Sequence, residues 1–296
     1  FSGDREKYMK LITEVYGKWI LAGEHAVLRG VPALVFPLKG KSMSFFVEPA
    51  SELSVEFAGS KGDELRLVVW SVIERALEIV GVSRAALSGR IRIDSALPLG
   101  AGLGTSAALC VGVGRWLIGE GKLKQDDLYT FAKGLENLFH GESSGVDVAV
   151  AIESQGIKFF KSGDRSLLKL GWTPQCYLSN SGQRGATIEC VQKVKDLFKT
   201  EPRRAEMIDQ EMRQAVALCE QGLNQAVIGD LAEGIQLAAE CFLRWGLVPA
   251  LVQSQMEQLK NEGAVAVKPT GSGNGGYVLS LWQSPPPPHL NLIKCY

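Results

Sequence analysis

No cysteine in this chain stands in a C-x-x-C pair, and none of its three histidines falls at a spacing that would complete a zinc site. Its six cysteines, at positions 110, 176, 190, 219, 241 and 295, are spread one to a segment, which suits buried free thiols in a reduced, cytoplasmic setting. Net charge is also absent, because 32 acidic residues balance 32 basic ones, so no general field draws the protein to nucleic acid or to an anionic bilayer. Apolar runs are short and interrupted, as 109–118 is by Arg115, and none approaches the ~20 residues needed to cross a membrane. The first ten residues, FSGDREKYMK, mix charges and lack an apolar core, so no retained secretory signal is expected. There is no internal repeat and no Walker A pattern, so any bound nucleotide is held without a P-loop lysine.

What is present reads as an α+β chain. At 296 residues it is long enough for two lobes of about 150 residues each. Residues 9–22, 31–37 and 42–48 are rich in β-branched and aromatic side chains and read as strands, with GEHAVLRG (23–30) a connecting turn between the first two. Residues 64–80 place apolar side chains at helical spacing, and RIRIDS (90–95) alternates as a half-buried strand does. A glycine-rich loop follows, then a helix that Thr105 or Ser106 is placed to cap, then a second helix over 126–139. Further strands are expected at 156–160 and 175–178, helices through most of 187–259, and two short strands around the glycines of 265–282. The domain boundary is placed at 172/173, giving domains of 1–172 and 173–296, and the proline tract 285–288 reads as a stiff spacer.

The segment PLGAGLGTSAA (98–108) carries the most chemistry. Gly100, Gly102 and Gly104 remove side chains where backbone N–H groups would approach an anion, and the helix behind them presents its positive end. A dinucleotide fingerprint overlaps it formally through Gly102, Gly104 and Ala107, but Pro98 parts the strand from the glycines and two helical patterns replace the expected βαβ unit. A phosphate cradle is the better reading.

Together with YGKWILAGEHAVLRG (16–30) and KPTGSGNGG (268–276), this segment resembles the three motifs of the GHMP kinases, in the family's order. The run ENLFHGESSGVD (136–147) resembles the mevalonate kinase branch in particular. The resemblance implies a two-lobed GHMP kinase fold, with a ribosomal-protein-S5-like N-terminal lobe and a ferredoxin-like C-terminal lobe, and a site for ATP and Mg²⁺. Carried over position by position, it implies that Lys18 and Asp147 are catalytic, and that Ser106 and Glu136 serve the metal. Pro98, Gly100, Ala101, Gly102, Leu103, Gly104, Thr105, Ser106, Ala107, Gly271 and Gly273 would surround the nucleotide phosphates. Glu24, His25, Asp147 and Thr187 would face the acceptor alcohol. Ser272 and Asn274 depart from the family pattern, which has Ala and often Gly there, so they add side chains to a phosphate-side loop.

The chemistry of these residue types agrees. Phosphoryl transfer to an alcohol needs a carboxylate to take the hydroxyl proton and cations to hold the transferring charge. A hydroxyl and a carboxylate are hard ligands suited to Mg²⁺. Taken singly, Lys18 reads as a surface lysine at a strand end and Glu136 as a solvated helix residue; the joint pattern displaces both readings. The implied reaction is phosphorylation of the primary 5-hydroxyl of mevalonate, in isoprenoid biosynthesis. The alternatives are another GHMP kinase acting on phosphomevalonate, homoserine or a sugar, the related decarboxylase, or a non-catalytic ligand-binding relative. No nucleic-acid or membrane partner is expected, and a homodimer is compatible with the sequence.

Overall fold

A computed structural model of the chain describes residues 9–58, 62–98, 100, 102–140, 143–183, 185 and 187–296. These residues fall into two compact units of mixed α and β structure. Unit 1 takes residues up to Gly17 with Lys41–Pro98 and Gly104–Ile152, and unit 2 takes Lys18–Gly40, Leu99–Leu103 and Glu153–Tyr296. Strand β1, Lys10–Ala22, pairs with β2, Ala33–Glu48, and each contributes one part of its length to each unit. Sequence periodicity predicts two strands where β2 is one. Pro37, which has no N–H to give, falls between the ladder of 33–35 with one neighbour and that of 43–48 with another.

In unit 1, β3 (Leu53–Ala58) precedes helix α1 (Gly62–Val80) and β4 (Gly89–Ser95). β4 runs antiparallel to β2, from Met43 opposite Ser95 to Glu48 opposite Arg90, and parallel to β3. Helices α2 (Thr105–Gly119), α3 (Leu128–His140) and α4 (Val146–Glu153) complete the unit. α2 is apolar nearly all round and buried along most of its length, as a helix enclosed by its own unit must be.

In unit 2, β5 (Ile157–Phe159) pairs with the start of β2 and with β6 (Arg165–Leu167). A separate four-stranded sheet has the order β10-β7-β9-β8, built from β7 (Gln175–Asn180), β8 (Ala266–Gly273), β9 (Gly275–Trp282) and β10 (Ile293–Lys294). Helices α5 (Thr187–Thr200), α6 (Pro202–Gln225), α7 (Ile228–Arg244) and α8 (Ala250–Asn261) occupy the long helical stretch expected from sequence. Part of the core of this unit joins Ala239, Val252, Met256 and Leu259 of the helices to Tyr177, Val267, Val278 and Trp282 of the sheet. The short strands β3, β6 and β10 are additions to the sequence reading, and β10 converts part of the segment beyond the proline tract into a sheet edge. Among the described residues no helix is long and apolar enough to cross a membrane.

Small residues set the closest approaches. A Cβ at Gly112 of α2 would overlap the ring of Phe45 on β2, and Phe45 is fully buried. Gly112→Ala gains about 1 kcal/mol of helix propensity but forces an overpacked core, at a typical cost of about 1–3 kcal/mol. A net loss of stability is expected, read as a lower urea midpoint with an unchanged m-value.

Candidate active site

The second part of β1 carries Lys18, Trp19 and Ile20 in unit 2. Lys18 is only 6% exposed, which removes its reading as a surface lysine. Its amide donates to the carbonyl of Leu103 at 2.9 Å, so the glycine loop is tied by backbone to the strand that bears the lysine. Beyond β1 the chain passes through Gly23, Glu24 and His25 into the 3-10 turn Ala26–Arg29, which Arg29 anchors through a forked pair of hydrogen bonds to Asp209 at 2.6 and 2.7 Å.

Glu24 is 2% exposed and Lys268, from the third motif, is wholly buried. Lys268 Nζ donates to Glu24 Oε1 and to the Ile20 carbonyl, while Glu24 Oε2 is buried and has no side-chain partner among the described residues. Burial pushes the Glu24 carboxyl up and the Lys268 ammonium down, each toward its neutral form, and their mutual attraction opposes both shifts. His25 adopts a left-handed backbone, φ 58°, and its Nε2–H donates to the Ser272 carbonyl at 2.9 Å. Its ring packs edge-on against Phe242 and Trp245.

The glycine loop behaves as a cradle. Gly100 and Gly102 have φ of 67° and 78°, a region open to glycine at little cost, and among the described residues nothing stands within 4 Å of where a Cβ would be on either. The Gly102 carbonyl in turn lies 3.9 Å from the position a Cβ would take on Gly271. Unit 2 therefore brings together Lys18 of the first motif, Gly102 and Leu103 of the second, and Gly271 of the third. Gly273 is held against Phe242.

The start of α2 differs from the sequence expectation. Gly104, at φ 75°, occupies the cap position, so Thr105 and Ser106 fall inside the first turn of the helix. The Thr105 hydroxyl turns back instead to the Pro98 carbonyl at 2.8 Å, closing the loop upon itself. Leu103 and Ala107 direct buried side chains into the protein, which leaves their backbone as the part able to meet a ligand. Ala101 lies outside the described residues.

Ser106, Glu136 and Asp147 lie in unit 1. Glu136 is 2% exposed, so it is no solvated helix residue. Ser143 Oγ–H donates to Glu136 Oε2, and Ser143 Oγ in turn accepts from the Gly145 amide at 3.0 Å. Asn137 accepts from the Ser143 amide at 2.8 Å. Gly145 has φ 81°, and a Cβ there would overlap the Tyr129 hydroxyl, so glycine is required on two counts. Asp147, half-buried, follows in the first turn of α4. The serine and glycine of the 136–147 run thus fix the lead into Asp147 from the Glu136 carboxylate. Sequence reasoning did not single out Ser143; its signal was its position two residues before a glycine that must turn.

The donor set fits a Mg²⁺–nucleotide. Glu136 lies near Cys110, one helical turn beyond Ser106, because its charge adds to the burial that raises the Cys110 thiol pKa. A hydroxyl and a carboxylate alongside α2 are hard ligands, and Mg²⁺ ordinarily takes the rest from phosphates and water. No group of three or more ligating side chains occurs among the described residues. Thr187 opens α5 and is exposed, while Cys190, one turn on, approaches Ser272 and Asn274 of the third-motif loop. Lys268 and Thr270 were also missed from sequence; their signal was a K-x-T spacing of two on a strand, which turns both to one face.

Burial lowers the pKa of His25 to about 4. The ring is therefore neutral near pH 7, and the stability tied to this shift is complete above the ordinary value of 6.5 and is lost as pH falls toward 4. Imidazole signals followed by NMR should show His25 uncharged at pH 5.5, and stability should decline between pH 6.5 and 4 by less in His25→Asn than in the wild type. A His25 titration near 6.5 would contradict this.

Comparison with known proteins accords with this geometry. Residues 67–155 match the family model described as GHMP kinases N terminal domain. A protein of Aeropyrum pernix named mevalonate kinase is 28% identical over 291 residues, covering 90% of this chain and 87% of its own. One of the same name from Archaeoglobus fulgidus is 26% identical, covering 94% of each. The fold is shared with the crystal structure of L. major mevalonate kinase in complex with R-mevalonate, at a TM-score of 0.77 and 20% identity over 92% of this chain and 86% of that one. The chain thus shares the fold of the GHMP kinases and carries a match to their N-terminal domain over residues 67–155, and across most of its length it is similar to proteins named mevalonate kinase.

Proposed function

We propose that the protein is an ATP- and Mg²⁺-dependent kinase that phosphorylates the primary 5-hydroxyl of mevalonate. The observation that carries this reading is the meeting of Lys18, Gly102, Leu103 and Gly271 in unit 2, three motif segments joined at one glycine-rich loop. Relatives named mevalonate kinase, matched over nearly the full chain, support the choice of acceptor.

In this reading the backbone N–H groups of 100–107 bind the nucleotide phosphates at the start of α2. Asp147 accepts the proton of the acceptor hydroxyl as its oxygen forms the bond to the γ-phosphorus and the bond to the β–γ bridging oxygen breaks. Lys18 places a positive charge where the attacking oxygen becomes anionic. Ser106 and Glu136 would hold Mg²⁺, which when bound neutralises charge on the phosphates; Ser143 keeps the Glu136 carboxylate oriented. His25, Thr187 and Glu24 are assigned to the acceptor side. Six buried free thiols suit work in the reducing cytoplasm.

ADP release coupled to a dye-linked assay, with Mg²⁺-ATP and a panel of mevalonate, phosphomevalonate, homoserine and galactose, tests the proposal. Selective turnover of mevalonate is expected, and Asp147→Asn should retain ATP binding while losing turnover by about 10²–10⁴-fold. Turnover of another alcohol would reassign the acceptor, release of carbon dioxide would indicate the decarboxylase, and unchanged turnover in Asp147→Asn would remove that residue from the mechanism.

A further inference from the structure

We propose that Thr270 and Lys268 are positioning residues: their side chains bind the third-motif strand β8 to the lysine-bearing end of β1, so that Lys18 and the glycine loops keep one fixed relation. Neither residue is assigned to a ligand. Thr270 Oγ1 accepts from the Ile20 amide at 3.0 Å and donates to the Ile20 carbonyl at 2.9 Å, so one hydroxyl satisfies both polar groups of a single residue. Between neighbouring strands that exchange is made by backbone; here a side chain makes it, across 250 residues of sequence. Lys268 donates to the same Ile20 carbonyl at 3.3 Å and to Glu24, four residues further along. His25 completes the connection by donating to the Ser272 carbonyl.

Five hydrogen bonds thus join the first-motif segment to the third-motif strand in a space where little water enters: Thr270 is 7% exposed and Lys268 is wholly buried. A buried amide or carboxylate that loses its partner keeps its desolvation cost, so the two segments separate only with difficulty. Ile20 lies two residues from Lys18, and Gly271 adjoins Thr270. Any slackening at Ile20–Thr270 is therefore felt on both sides of the proposed phosphate site. The catalytic consequence depends on the kinase activity proposed above; the structural consequence does not.

Amide hydrogen exchange and steady-state kinetics on the full chain test the inference together. In Thr270→Val, exchange at Ile20 should quicken by about 10-fold or more, with residues 268–273 affected in concert and the α6–α7 pair unchanged. kcat should fall about 10-fold with the ATP KM changed less than threefold, because the loops persist while their relation to Lys18 is lost. Thr270→Ser, which keeps the hydroxyl, should stay within about twofold of wild type in both readouts. Wild-type exchange at Ile20 in Thr270→Val, or a Thr270→Ser protein as impaired as Thr270→Val, would overturn the proposal. Should Thr270→Val not fold, the neutral pair Glu24→Gln with Lys268→Met serves: joint loss of protection over 18–25 and 268–273 supports the connection, and retained protection refutes it. If the wild type phosphorylates no alcohol, the kinase reading fails by itself, while the exchange measurements still decide the structural role.

Discussion

The buried pair of Lys268 and Glu24 is the interaction on which unit 2 depends most. Each charge alone would be costly in a site that water does not reach, and the pair persists because each ion is the other's counter-charge. Loss of one partner strands the other, typically at about 3–5 kcal/mol, whereas loss of both together is often close to neutral. Such a pair adds little to stability and much to specificity of arrangement: Lys268 meets Glu24 only when β8 lies correctly against the end of β1. The cluster gains from the neighbouring Thr270–Ile20 exchange, which takes up the backbone groups that would otherwise be buried without partners.

Unit 1 solves a comparable problem with one hydroxyl. Ser143 gives its proton to Glu136 and takes the Gly145 amide, so the carboxylate on α3 and the turn into α4 are set by the same oxygen. A hydrogen bond to one carboxylate oxygen fixes the orientation of the whole group, because the carboxylate is planar and turns as a unit. The same bond fixes where α4 begins and hence where Asp147 stands in its first turn. Two residues with different assigned tasks therefore share one structural support.

Much of this architecture was legible beforehand, and the exceptions have physical reasons. Helices α1, α3 and α5–α8 follow amphipathic periodicity, and the hairpin of β8 and β9 follows its glycine turn. The pattern of β2 reads as two strands because Pro37 and Gly40 interrupt it, and a proline is tolerated there because it falls between the ladder of 33–35 with β5 and that of 43–48 with β4. Strands β3, β6 and β10 are short, and pairing with longer neighbours holds them where no pattern of their own would. The cap of α2 was assigned to a hydroxyl residue by statistics, yet Gly104 takes that place because the loop needs a left-handed turn there. Burial of Lys18 and Glu136 was beyond local pattern altogether, since a lone charged residue on a strand or helix announces a surface. Only the joint motif spacing pointed to their enclosure.

The two departures in the third motif illustrate how a loop absorbs an added side chain. Ser272 could have crowded a phosphate-side loop, but its hydroxyl is housed beside Gly185, where a Cβ would stand 2.6 Å from it, and beside the Cys190 thiol. Its carbonyl meanwhile accepts from His25. The side chain and the backbone of one residue thus serve different neighbours, and the glycine at 185 is the compensating choice that makes room. Gly271, one residue earlier, is the position that approaches the Gly102 carbonyl and keeps no side chain at all. The constraint on this loop falls position by position: strict where the backbone turns left-handed, as at Gly271 with φ 89°, and relaxed where a small residue opposite has left space.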